Sequence, residues 1–389
     1  MTPEPARGPV PHSEAPSTED LHAALSRVID PELRRDIVSL GMVASAEVDE
    51  AGTAHVEVLL TVPGCPLKDT ISRDVHTELA ELPGLAEVDL KLGVMSAEQR
   101  KGLREKLRAP GGKRLVPFTQ PDSLTRVYAI ASGKGGVGKS SLTANLAAAM
   151  AADGLRVGVV DADIHGFSIP GMFGLRGKPT KLDDMILPQV AHGVKVMSIG
   201  MFVDPGQAVV WRGPMLHRAL EQFLTDVFWG DLDVLLLDLP PGTGDVAISV
   251  AQLLPNAELI VVTTPQQAAA TVAERAGAIA RQTKQRVAGV VENMSYLQLP
   301  DGTRMEVFGT GGGAQVVAGL ARITDQDVPL LGSVPLEPKL REAADAGLPA
   351  VLDAAARQTP AALEISRIAR GLSHRARGLA GRSLPLNLG

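Results

Sequence analysis

Residues Gly133 to Ser140 read Gly-Lys-Gly-Gly-Val-Gly-Lys-Ser, preceded by the apolar run Val127–Ala131 and followed by the helical stretch Leu142–Ala152. A glycine, four intervening residues and then Gly-Lys-Ser at a strand-to-helix joint make a phosphate cradle. Glycines allow the tight turns that aim successive backbone N–H groups at one anion, and the helix N-terminus adds its positive dipole. The expected nucleotide contacts are Gly133, Lys134, Gly135, Gly136, Val137, Gly138, Lys139, Ser140 and Ser141. Among them Lys139 is placed to reach the β- and γ-phosphates of ATP, and the Ser140 hydroxyl to coordinate Mg²⁺. A Gly-rich turn with nothing bound is the plainer alternative; the complete motif in its strand–helix setting argues against it.

Lys134 is a second lysine, directly after the first glycine, where a phosphate cradle needs none. One reading is a solvated loop lysine. The other is a cation delivered to the γ-phosphate of a facing subunit in a homodimer, stabilising charge as an arginine finger does. Two acidic stretches complete the constellation. Val234–Asp238 is an apolar run ending in an acid, so Asp238 is expected to hold the Mg²⁺ shell, and the turn Pro240–Asp245 follows it. Val159-Val160-Asp161-Ala162-Asp163 ends another run with two acids on the same side, because strand side chains alternate. Asp163 by preference either orients the attacking water or joins the Mg²⁺ shell, with a helix cap or turn as the alternative for either acid. Taken together these residues imply Mg²⁺-dependent ATP hydrolysis.

A chain of 389 residues exceeds what one hydrophobic core usually organises. Residues 1–17 read as a disordered lead, 18–107 as a small α+β domain, 108–124 as a Pro- and Gly-rich linker, 125–370 as the ATPase domain and 371–389 as a basic tail. In the larger domain the runs Val127–Ala131, Arg156–Asp161, Val194–Ile199, Val234–Asp238, Leu259–Thr263 and Val287–Val291 lack polar alternation and are separated by helical stretches. That order predicts an α/β fold, doubly wound around a mostly parallel sheet buried on both faces. Residues Glu364 to Gly389, Arg-rich and interrupted by glycine, read as a frayed last helix and a loose end. No apolar run approaches the ~18–20 residues of a membrane span, and the N-terminus lacks a secretory pattern, so a cytoplasmic protein without stable membrane insertion is expected. The formal net charge of −6 gives no reason to expect nucleic-acid binding.

Lys134 with Lys139, Asp161-Ala-Asp-Ile-His-Gly-Phe-Ser-Ile-Pro170, Leu237-Asp-Leu-Pro-Pro-Gly-Thr-Gly-Asp245 and Glu292-Asn-Met-Ser-Tyr296 together resemble the Mrp/ApbC family, in the MinD/ParA group of ATPases. Asp30-Pro-Glu32, Asp36-Ile-Val-Ser-Leu-Gly41 and Thr61-Val-Pro-Gly-Cys-Pro66 resemble the small iron–sulfur assembly domain that often precedes that ATPase. The resemblance implies an iron–sulfur cluster carrier that delivers clusters to apoproteins or works with assembly factors. It also implies an ATP-sandwiched dimer with Lys134 crossing to the partner's nucleotide, and Asn293 contacting the adenine. Phe167 stands where the family commonly has proline.

One departure bears on the cargo. Carriers of this family place a C-x-x-C pair shortly after the Asn-Met-Ser-Tyr segment, whereas this chain reads Ser295-Tyr-Leu-Gln-Leu-Pro-Asp-Gly-Thr-Arg-Met-Glu306. Cys65, the single cysteine, sits between Gly64 and Pro66. Thiolates are the standard cluster ligands. Either Cys65 serves with non-cysteine or partner ligands, or no cluster is held in the usual way and Cys65 is a small buried apolar residue. The competing function is a MinD/ParA-like ATP-switched scaffold or positioning protein that holds no cluster.

Overall fold

The computed structural model describes residues 16–62, 67–107, 116–120, 123–163, 166–202, 213–242, 244–266 and 269–374. The chain divides into two compact units, one of residues 1–113 with 180–187, the other of residues 114–179 with 188–389.

The first unit runs α1 (Thr18–Leu25), β1 (Val43–Val48), β2 (Thr53–Leu60), α2 (Lys68–Ala80), β3 (Glu87–Val94) and α3 (Ala97–Leu107). Ser17 and Asp20 close a capping box at the start of α1: Asp20 N–H donates to Ser17 Oγ at 3.2 Å and Ser17 N–H to Asp20 Oδ2 at 2.8 Å. The strands order as β1-β2-β3, antiparallel then parallel. Ala54, Val56 and Val58 on one face of β2 are buried, as are Ile71, Val75 and Leu79, which share one face of α2 at helical spacing. The opposite face of the sheet is charged. There the ring nitrogens of His55 lie 3.0 Å from Asp89 and 3.2 Å from Asp49, and these hydrogen bonds, Asp89 first, raise the imidazole pKa.

The second unit begins with β4 (Arg126–Ser132), α4 (Lys139–Ala152), β5 (Val157–Asp161) and the short α5 (Ile169–Met172). The chain then forms the hairpin β6 (Thr180–Leu182) and β7 (Met185–Leu187), which packs as part of the first unit. Its turn residues Asp183 and Asp184 lie 3.5 and 2.9 Å from Arg104 of α3. The second unit resumes with β8 (Gln189–Ala191), β9 (Val194–Ser198), α6 (Gly213–Thr225), β10 (Val234–Asp238), α7 (Asp245–Leu253), β11 (Glu258–Thr263) and α8 (Ala269–Thr283). It finishes with β12 (Val287–Gln298), β13 (Arg304–Met305), α9 (Gly312–Thr324), β14 (Leu330–Leu336), α10 (Pro338–Asp345) and α11 (Pro360–Ser373).

Nine strands make one sheet in the order β13-β12-β11-β4-β10-β5-β9-β8, with β14 on β12. Only β8 and β13 run antiparallel to their neighbours. β4, β5, β10 and β11 are buried almost throughout, as strands covered on both faces must be. α4 is buried nearly all round, from Leu142 through Met150, because α11 covers the side turned away from the sheet. Its run of alanines lets the helix lie close to the strands. No described helix is long and apolar enough to cross a membrane.

The last helix departs from the expectation of a frayed end. α11 is capped by Thr359, whose Oγ1 accepts from Ala362 N–H at 3.4 Å, and it buries Ala361, Ile365, Ile368, Ala369 and Leu372. Its arginines lie on the outer face, so the local composition read as a solvated tail conceals an amphipathic helix. Residues 375–389 lie outside the described structure. Because Ile368 is buried, Ile368→Ala should cost about 2–5 kcal/mol, the range for emptying a core aliphatic site, measured by urea denaturation. A loss below about 0.5 kcal/mol, the scale of surface substitutions, would mean that the helix frays after all.

Candidate functional site

β4 leaves the sheet at Ser132 between β10 and β11, and the cradle joins its end to α4. Gly136 and Gly138 both take φ of 76°, a left-handed conformation that glycine adopts without a Cβ penalty. Gly138 is the N-cap of α4 and offers no side chain to the first N–H groups of the helix, which are thereby left for an external anion. A Cβ on Gly138 would also lie 2.3 Å from the amide nitrogen of Asn293. The Asn293 amide donates to the Val137 carbonyl at 2.9 Å, so the loop rests on β12 through this side chain.

The first turn of α4 converges on Asp238. Lys139 Nζ donates to Asp238 Oδ1 at 2.8 Å and Ser140 Oγ to Asp238 Oδ2 at 2.5 Å. Thr143 Oγ1 lies 3.1 Å from Asp238 Oδ1. Thr143 escaped the sequence reading, although it stands one helical turn after Lys139, on the face that meets the strand. Lys139 is 6% exposed and Asp238 fully buried, so this is an interior ion pair with hydroxyl donors on the remaining lone pairs. Burial pushes the Asp238 carboxyl up, and the Lys139 charge and the hydroxyls oppose it.

Asp161 pairs in register with Asp238 on the neighbouring strand. It is buried, and burial, followed by the nearby Asp238 charge, pushes its carboxyl up to about 7. Its oxygens accept from Asp163 N–H at 3.2 Å, Ser168 N–H at 3.2 Å, Ile169 N–H at 3.3 Å and Ser198 Oγ at 3.1 Å. Asp161 therefore organises the loop after β5. Asp163, in that loop, is 8% exposed and accepts from Gly166 N–H at 3.1 Å. Phe167 is half exposed and lies over Gly200, where a Cβ would meet its ring at 2.3 Å.

Lys134 is half-buried, and its Nζ donates to Gln266 Oε1 within the same chain. Ser141 sits in the first turn of α4, and its carbonyl accepts from Asn145 at 2.8 Å. Gly133, which a Cβ would drive into Val272 at 2.7 Å, and Gly135 complete the loop. Cys65 lies outside the described residues, as do Pro63, Gly64 and Pro66 around it. Among the described residues no group of three or more His, Cys, Asp or Glu is placed to hold a metal ion. The oxygen donors Ser140 and Asp238 suit Mg²⁺, which takes few protein ligands alongside phosphate oxygens and water. Where the resembling family carries its cysteine pair, β12 continues to Gln298 and pairs with β13, and Arg304 stacks over Tyr296 at 4.2 Å.

Comparison with known proteins agrees with this architecture. Residues 18–90 match the iron–sulfur cluster assembly protein family. A protein of Mycobacterium tuberculosis named iron–sulfur cluster carrier protein is 61% identical over 367 residues, covering 94% of this chain and 96% of its own. A protein of the same name from Deinococcus radiodurans is 44% identical, covering 90% and 93%. A nucleotide-binding protein from Archaeoglobus fulgidus, solved in complex with ADP, is 37% identical with a TM-score of 0.50, covering 59% of this chain and 92% of that one. Residues 123–373 match the ParA family described as NUBPL iron-transfer P-loop NTPases, and the chain belongs to that family.

Proposed function

We propose that this protein is a dimeric ATPase that carries iron–sulfur clusters and delivers them to apoproteins or assembly partners in the cytoplasm. The observation that carries the reading is one chain combining the Lys139–Ser140–Asp238 constellation with an iron–sulfur assembly domain. Residues 18–107 handle the cargo, and residues 125–370 bind and hydrolyse ATP. The N–H groups of the cradle from Gly133 to Ser141 bind the phosphates, and Asn293 contacts the adenine. Lys139 leaves Asp238 for the β- and γ-phosphates. Ser140 and Asp238 would hold Mg²⁺, which when bound would supply neutralisation of phosphate charge. Asp163 orients the attacking water or joins the Mg²⁺ shell. Lys134 crosses to the nucleotide of the second subunit.

A second reading, an ATP-switched scaffold of MinD/ParA type, is favoured by the stacked β12–β13 hairpin where thiolates were to be expected. The cluster is the cargo, and two Cys65 thiolates in a dimer leave a four-ligand site incomplete. Small thiols, other side chains or a partner then supply the remaining ligands. Exchangeable ligation suits transfer.

Three outcomes test these readings. Lys139→Ala should abolish productive ATP binding; unchanged ATP affinity by equilibrium titration would remove the nucleotide assignment. Lys134→Ala should bind ATP yet lose turnover by roughly 10³-fold, equivalent to about 4 kcal/mol of transition-state stabilisation. Mixed with Asp163→Ala it should regain activity in heterodimers, and heterodimers that form without regaining any would refute action in trans. Anaerobic reconstitution followed by iron and sulfide analysis should show a chelator-labile cluster in the wild type that Cys65→Ala fails to take up. A chelator-resistant cluster in Cys65→Ala would defeat the ligand assignment, and no uptake by the wild type, alone or with partners, would select the scaffold.

A further inference from the structure

Three contacts from a single stretch of chain grip the turn that carries Lys134. Arg275 of α8 donates to the Gly133 carbonyl at 3.1 Å. Val272, one turn earlier on α8, lies against Gly133 so closely that a Cβ there would meet its methyl at 2.7 Å. Gln266, exposed just beyond the end of β11, accepts the hydrogen bond from Lys134 Nζ. From the inner side Ser132 Oγ donates to the Lys134 carbonyl at 3.0 Å. With the backbone fixed on both sides, the direction of the lysine side chain is set by its partner at the tip, and that partner belongs to the same chain. A neutral amide is a partner of intermediate strength. It gives an ammonium one directed acceptor, without the Coulombic attraction that a carboxylate at the same place would add.

We propose that Gln266 is the resting seat of Lys134. It holds the ammonium within its own subunit until nucleotide and a second subunit draw it away, and so sets how readily the dimer turns ATP over. This rests on the reading of Lys134 as acting in trans. The contact belongs to the resting conformation alone, so weakening it shifts the population toward the engaged one and strengthening it shifts the population back.

Two substitutions at this exposed position pull in opposite directions, which a merely structural residue does not do. Gln266→Ala should raise ATP turnover at low protein concentration about three- to tenfold, the effect of losing one net hydrogen bond. Gln266→Glu should lower it, because the carboxylate binds the lysine more tightly. An independent readout is the rate at which an amine-reactive acylating reagent labels Lys134 in the nucleotide-free protein, followed by peptide mass spectrometry. Labelling of Lys134 should speed up in Gln266→Ala and slow down in Gln266→Glu, with the other lysines unchanged. Equal labelling in all three proteins overturns the seat, whatever Lys134 does in catalysis. Labelling that shifts as expected while turnover stays constant overturns the gating role. Mixing Lys134→Ala with Asp163→Ala chains reports separately on action in trans.

Discussion

Asp238 is a carboxylate without solvent exposure, at the end of a strand flanked on both sides by other strands. Left alone, such a charge would cost several kcal/mol. It is answered by Lys139 at 2.8 Å, Ser140 at 2.5 Å and Thr143 at 3.1 Å, all from the start of α4. Those bonds fix how α4 sits on β10, and with it the loop that α4 terminates. On the proposed ATPase reading, these are the bonds that a nucleotide would exchange. A bound phosphate would offer Lys139 more negative charge than one carboxylate does. The ion pair thus holds the start of α4, and the loop before it, against β10. Asp161 lies beside it on the next strand. Burial first, and the neighbouring Asp238 charge second, push the Asp161 carboxyl up to about 7, and Asp161 has no lysine against it to oppose them as Lys139 does at Asp238.

The cradle was legible because its chemistry is local. The glycines, Lys139 and Ser140 follow one another in sequence, and Asp238 ends an apolar run long enough to identify as a strand. What escaped depends on contacts between distant segments. Gln266 meets Lys134 across 132 residues, Ser198 meets Asp161 across 37, and neither pairing leaves a mark in local composition. β14 escaped because Gly332, Ser333 and Pro335 interrupt its apolar run, and pairing with β12 decides its conformation. α11 was misread for the opposite reason: its arginines and glycine dominate a local reading, although Ile365, Ile368 and Leu372 recur at helical spacing and are buried. Burial decided that segment, and burial is set by the partner, here α4.

The segment after Asn293 lacks the cysteine pair of the resembling family and is held by other contacts. β12 extends from the core strand into a hairpin with β13, paired at Leu297–Met305 and Gln298–Arg304. The guanidinium of Arg304 over the Tyr296 ring closes the hairpin by a contact that needs neither metal nor thiol. No cysteine stands in this segment, and Cys65, the chain's one cysteine, lies outside the described residues.

Adjacent residues of β12 also tie the hairpin to the nucleotide site. Glu292 accepts from Gly313 N–H at 2.6 Å and so anchors the N-terminus of α9, where carboxylate and helix dipole attract. Asn293 donates to the Val137 carbonyl in the cradle at 2.9 Å. Side chains of neighbouring strand residues point to opposite faces, so one strand grips the helix with one residue and the phosphate loop with the next. Gly312, packed so tightly that a Cβ would lie 2.6 Å from the Thr264 carbonyl, brings α9 against the stretch that ends in Gln266. The contacts run from Lys134 through Gln266 and Thr264 to α9, then through Glu292 and Asn293 back to the cradle. Because packed interiors do not deform continuously, these contacts hold the cradle, β12 and the start of α9 to one another.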